Sequence, residues 1–108
     1  MNLLPFLTDL KIRLNDYKTR LGFNYFREYD VVVETGRKYH KIFRSEIPHD
    51  LNTRNIKLSI VAFVDKETGA IYKPATFKSP AKHARGFVNS PQNGMEAIDQ
   101  CGSVLYLR

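Results

Sequence analysis

Between Glu67 and Glu96 the chain carries no acidic residue, while Lys73, Lys78, Lys82 and Arg85 accumulate with Tyr72, Phe77, His83 and Phe87 between them. Cations that neutralise phosphates and aromatic rings on which bases stack are the two ingredients of single-stranded nucleic-acid binding. A plainer reading uses the same residues: a solvated basic loop whose Tyr72 and Phe77 anchor it to a core. Composition does not separate the two. If residues 78–86 were helical, Lys78, Lys82 and Arg85 would share one side, although Pro80 works against a helix there. A second basic run, Arg37-Lys38-Tyr39-His40-Lys41-Ile42-Phe43-Arg44, holds four cations and no acid.

Other chemistries find less support. His40, His49 and His83 come without a Cys-x-x-Cys or His-x-Glu spacing, so no metal site is expected. A small ribonuclease would need a group titrating near neutrality to move protons, and nothing in the spacing pairs one histidine with another catalytic group. The expectation is a non-enzymatic protein, with a small nuclease as an alternative. The glycines stand apart from any Walker loop or Gly-x-Gly-x-x-Gly pattern, so nucleotide hydrolysis is not supported and no cofactor is expected. Cys101 is the only cysteine. It cannot form an internal disulfide, which suits a reducing compartment, and it reads as a small buried hydrophobe.

These residues must be positioned by a fold of 108 residues, which suits one domain over residues 1–108. Hydrophobic residues make up 43% of the chain, enough for a core. Seventeen Lys and Arg against eleven Asp and Glu leave a formal charge of +6, a balance that favours polyanionic partners. Asp9 interrupts the N-terminal apolar stretch far short of a membrane span, and no basic residue precedes Leu3-Leu4; neither a signal peptide nor a membrane helix is expected.

Leu7, Leu10, Leu14, Tyr17 and Leu21 recur at spacings of three and four, which predicts an amphipathic helix with Pro5 in its first turn, Asn2 or a neighbour as cap and Gly22 as its stop. The stripe fits packing on a sheet and, alternatively, a short dimer seam. Tyr29–Glu34 and Arg37–Arg44 predict two strands joined at Thr35-Gly36, the second near a sheet edge. Leu58–Val64 is apolar on both alternation faces and predicts a central strand covered on both sides. It enters a turn at Asp65-Lys66-Glu67-Thr68-Gly69 and returns through Ala70-Ile71-Tyr72. Glu-Thr-Gly thus marks both hairpin tips, where glycine can take a positive φ. From Pro74 to Gly94, three prolines and two glycines predict mostly loop, with at most a helical turn at Ala81–Ala84. A short helix through Met95, Ala97 and Ile98, capped by Ser90 or Asn93, and a final strand Val104–Leu107 complete an α+β fold: an N-terminal amphipathic helix packed on an antiparallel sheet of about five strands.

The segment AFVDKETGAIYKPATFKSPAKHARG, residues 62–86, resembles a group of small bacteriophage-encoded proteins that share Gly-x-Ile-Tyr-Lys-Pro-Ala followed by Lys-x-Pro-Ala-Lys-x-Ala-Arg-Gly. The resemblance covers about a quarter of the chain, with the terminal Tyr-Leu-Arg added. It implies a phage origin and a place in the host bacterial cytoplasm or the virion, and it carries no activity.

The resulting expectation is a phage accessory protein that binds nucleic acid, single-stranded in preference to duplex, or another polyanion. Its contacts would be Lys73, Lys78, Lys82, His83 and Arg85 from the basic loop and Arg37, Lys38 and Lys41 from the strand before it. The alternative is a protein-interaction or virion-associated module in which the same loop docks on an acidic protein surface and the helix mediates homodimer formation. No membrane partner is expected.

Overall fold

The computed structural model describes residues 2–22, 24–50, 52, 56–76 and 78–105, with the side chains of 56–58 outside that set. Helix α1 spans Leu4–Leu21. The Asn2 side chain accepts the Leu4 N–H at 3.0 Å. Gly22 ends the helix with φ 72, where it donates to the carbonyls of Lys18 and Thr19. The buried stripe is Phe6, Leu10 and Leu14, rotated from the expected one. Leu21 is exposed and Tyr17 half-buried, because a straight run of fours from Phe6 presents a narrower face than the mixed spacings counted in the sequence.

Five strands follow: β1 Glu28–Thr35, β2 Tyr39–Ile47, β3 Ile56–Asp65, β4 Ala70–Pro74 and β5 Pro80–Phe87. They form one antiparallel sheet in the order β1-β2-β3-β4-β5, so β3 is central and β2 lies one strand in from the edge. Helix α1 covers one face. Phe6, Leu10 and Leu14 meet Tyr29, Ile42, Ala62, Val64 and Ile71 there in the hydrophobic core. The β2–β3 register slips between Ile42 and Phe43, pairing Ile42 with Ala62 but Phe43 with Ile60. The extra residue is Val61, and this bulge turns both Val61 and Ala62 toward the core while Phe63 faces the other way. Simple alternation is broken there.

The stretch expected as loop is β5. Two of its features reconcile proline with a strand: Pro80 is its first residue, and β5 lies at the sheet edge, where a missing N–H costs no ladder bond. Two register slips against β4 take up the surplus residues. The β4–β5 turn is closed by Thr76, whose Oγ1 accepts the N–H groups of Lys78 and Ser79, both at 3.1 Å. Of the two Glu-Thr-Gly tips, only Gly69 has a positive φ, 77°. Gly36 closes its turn with an ordinary φ by donating to Tyr39 O at 2.9 Å.

The C-terminal segment packs on the helix side. Its helix is one 3-10 turn, Met95–Ala97, and the Ser90 hydroxyl accepts the Gly94 N–H at 3.0 Å. Val104 makes an isolated antiparallel bridge to Ile98; Tyr106 and Leu107 of the expected final strand lie outside the described residues. Side chains of α1 fasten this segment and the sheet edge. Arg13 donates to the carbonyls of Met95 and Ile98, and Arg20 to Gln100. Asn15 accepts the Tyr29 N–H at 2.7 Å and donates to Tyr29 O at 3.0 Å, in the manner of a further strand along β1. That occupies part of an edge that would otherwise invite pairing.

Candidate nucleic-acid interface

Tyr39, Lys41 and Phe43 alternate along β2 and point away from α1. The register sets Phe63 opposite Lys41 and Tyr72 opposite Phe63, so three strands bring three rings together on the face the helix leaves open. Tyr39 meets Phe63 at 5.8 Å between centroids and Tyr72 at 5.9 Å, both edge-on, the arrangement that ring quadrupoles favour. Lys38 Nζ stands 5.4 Å from the Tyr39 centroid, and Lys41 Nζ 5.8 Å from that of Phe63. These are cation–π distances. Phe63 is only 1% exposed and forms a floor, whereas Tyr39 and Tyr72 are half-buried and present the surface. Phe87, 45% exposed and paired with Ala70 two residues from Tyr72, extends the same side.

The two hairpin tips lie together at one end of the sheet. Lys66 donates its backbone N–H to Lys38 O at 3.0 Å and its ammonium to Gly36 O at 3.1 Å. Asp65 braces the second tip: its carboxylate accepts the N–H groups of Glu67 and Thr68 at 2.8 and 3.1 Å. Those bonds, that of Thr68 foremost, hold its pKa below the ordinary value.

The expected contact residues divide among different surfaces. Arg37 and Lys38 are exposed at the shared tip, Lys41 lies on the open face, and Lys78 is exposed in the β4–β5 turn at the far end. Lys82 is exposed on β5, between the pairs Tyr72–Ala84 and Pro74–Pro80. Lys73 does not belong with them. It projects to the helix side, where its ammonium donates to Val104 O at 3.0 Å. Arg85 sits in a β-bulge, half-buried, with its guanidinium donating to His83 O; it is not a solvated loop cation. His83 is exposed on β5. Phe77 lies outside the described residues. Missed by the sequence reading were Tyr39 and Phe63 as partners of Tyr72. The alternation Tyr39-Lys41-Phe43 was the available signal, but the register that joins it to Tyr72 is not written in any local spacing.

The histidines are dispersed. His40 Nδ1 lies 2.9 Å from Thr35 Oγ1, and burial, helped by the charge of Lys66, lowers its pKa. His49 Nε2 donates to Asn24 O at 3.0 Å. Among the described residues no three His, Cys, Asp or Glu side chains gather to hold a metal ion, and no helix is long and apolar enough to cross a membrane.

The model of a family described as "Family of unknown function (DUF7717)" matches residues 7–107. The chain belongs to this family. The match runs from the first turns of α1 through the whole sheet to the C-terminal segment, so the open face and its cations fall inside the family unit. No curated protein and no solved structure matches the chain.

Proposed function

We propose that this member of the family is a non-enzymatic, single-stranded nucleic-acid-binding accessory protein of a phage, acting in the host cytoplasm. Bases stack on Tyr39 and Tyr72, and phosphates meet Arg37, Lys38, Lys41, Lys82 and Lys78. The observation that carries the reading is the Tyr39–Phe63–Tyr72 cluster with two ammonium groups above its rings, on the sheet face opposite the helix. An open antiparallel sheet face with aromatic side chains is a recurrent platform for unpaired bases. The cations then form a track from the shared hairpin tip, past Lys41, to Lys82 and Lys78, crossing three strand spacings of about 4.8 Å each. The phage setting rests on the resemblance of residues 62–86.

A fluorescence-anisotropy titration of labelled single-stranded and duplex oligonucleotides at two salt concentrations tests this. Single strands should bind more tightly than duplex, and each phosphate contact should add about 0.7 to the log–log salt slope. If neither form binds at low salt, the reading fails and an acidic protein surface becomes the partner to seek.

A further inference from the structure

We infer that the cleft between β2, β3, β4 and the segment 101–104, on the helix side of the sheet, binds a small phosphate dianion such as a phosphomonoester. It holds about 240 Å³ and is lined by Arg44, Ser59, Lys73, Cys101 and Ser103, among others. None of its described lining residues is acidic. The two cations come from different strands: Arg44 is the cross-strand partner of Ser59 on β3, and Lys73 reaches over from β4.

Arg44 is the decisive residue. Its guanidinium lies 4.9 Å from the Tyr29 centroid, a cation–π distance. Its Nε is buried with no hydrogen-bond partner, and no carboxylate forms an ion pair with it among the described residues. Buried donors are ordinarily satisfied and buried charges ordinarily paired. Here one donor of a half-buried guanidinium is shut away from water and, among the described residues, left without a partner.

The donor set selects the ligand. A planar guanidinium suits a phosphate through paired N–H donors, while an ammonium acts as a point charge beside it. Lys73 is steadied by its bond to Val104 O, and Ser59 and Ser103 line the same space. A ligand with several acceptor oxygens and a double negative charge satisfies this set. Size limits it: drug-sized ligands occupy about 300–1,000 Å³, so the cleft suits inorganic phosphate or a short ester, not a nucleotide chain. The site lies on the opposite side of the sheet from Tyr39 and Tyr72 and stands independently of the nucleic-acid reading.

The test is calorimetric titration of the full chain with inorganic phosphate and, in a separate arm, with glycerol 3-phosphate, at ionic strength held constant with chloride. Saturable one-to-one binding of either supports the inference, and the tighter of the two names the source. Arg44→Gln should weaken binding at least tenfold. Should that variant fail to fold, Ser59→Asp at an exposed position carries the test: it sets a carboxylate beside Arg44, keeps the circular dichroism of the wild type, and should abolish binding. Absence of saturable binding by the wild type, or undiminished binding by folded Ser59→Asp, overturns the inference.

Discussion

The two faces of the sheet are both apolar, yet they are finished differently. On the helix side, aliphatic residues from the strands meet Phe6, Leu10 and Leu14, all at most 1% exposed, and Asn15, Arg13 and Arg20 fasten the covering elements. On the other side the rings of Tyr39 and Tyr72 lie half-buried beside the buried Phe63, with the Lys38 ammonium above Tyr39 and that of Lys41 above Phe63. Aliphatic surface gains only by leaving water, so it calls for a cover. Tyrosine offers a ring face to cations or bases and a hydroxyl to water, so it tolerates an unfinished surface. Hydrophobicity along a strand thus marks both faces as structural, while the kind of apolar residue tells which one is left for a partner.

The largest effect should come from the covered face. Leu14→Asp places a charge without a partner at a fully buried position, and the expected outcome is an unfolded chain by circular dichroism; a folded monomer would instead show that the helix stripe is a dimer seam. Next is Phe63→Ala, which should cost about 3–5 kcal/mol in denaturant titrations because Phe63 is the floor of the open face. A loss below about 1 kcal/mol would place it at the surface and undo the distinction between floor and platform.

Replacing Tyr39 and Tyr72 singly by Leu keeps apolar bulk but removes the stacking ring. Each should weaken oligonucleotide binding by about 1–3 kcal/mol while leaving the salt slope unchanged. Lys82→Gln should do the reverse, lowering the slope by about 0.7 with stability unaltered, since an exposed charge contributes little to folding. Equal effects of both kinds of substitution on the slope would mean that the rings do not stack.

The smallest effect concerns Asp65. Its folded pKa is depressed, so the stability it contributes is present above its ordinary value of 3.8 and is lost as pH falls through the lower folded value. Urea midpoints of the wild type should therefore drop on acidification from about pH 5 downward, and Asp65→Asn should show a shallower decline. Identical profiles would remove the charged carboxylate from the account of the hairpin tip.

Much of this was legible in the chain. Spacing located α1 and its Gly22 stop, alternation and β-branching located β1 to β4, and the doubly apolar run identified β3 as central. Each of these signals is local: a helix period, a strand period, or a turn residue whose backbone freedom ends an element. The basic character around residues 73–87 was likewise readable, since charge needs no fold to be counted. Tertiary structure alone decided the rest. Proline and glycine content argued for a loop at 80–87, but an edge position removes the penalty that proline carries in a sheet interior, and being an edge is a property of neighbours. A bulge at Val61 set which side chains of β3 face α1. Register joined Tyr39, Phe63 and Tyr72 from three strands, sent Lys73 to the opposite face from Tyr72, and set Arg44 beside Ser59. Cross-strand partners arise from pairing between distant segments, and one residue of slip exchanges the two faces; no pattern within a single strand fixes that choice.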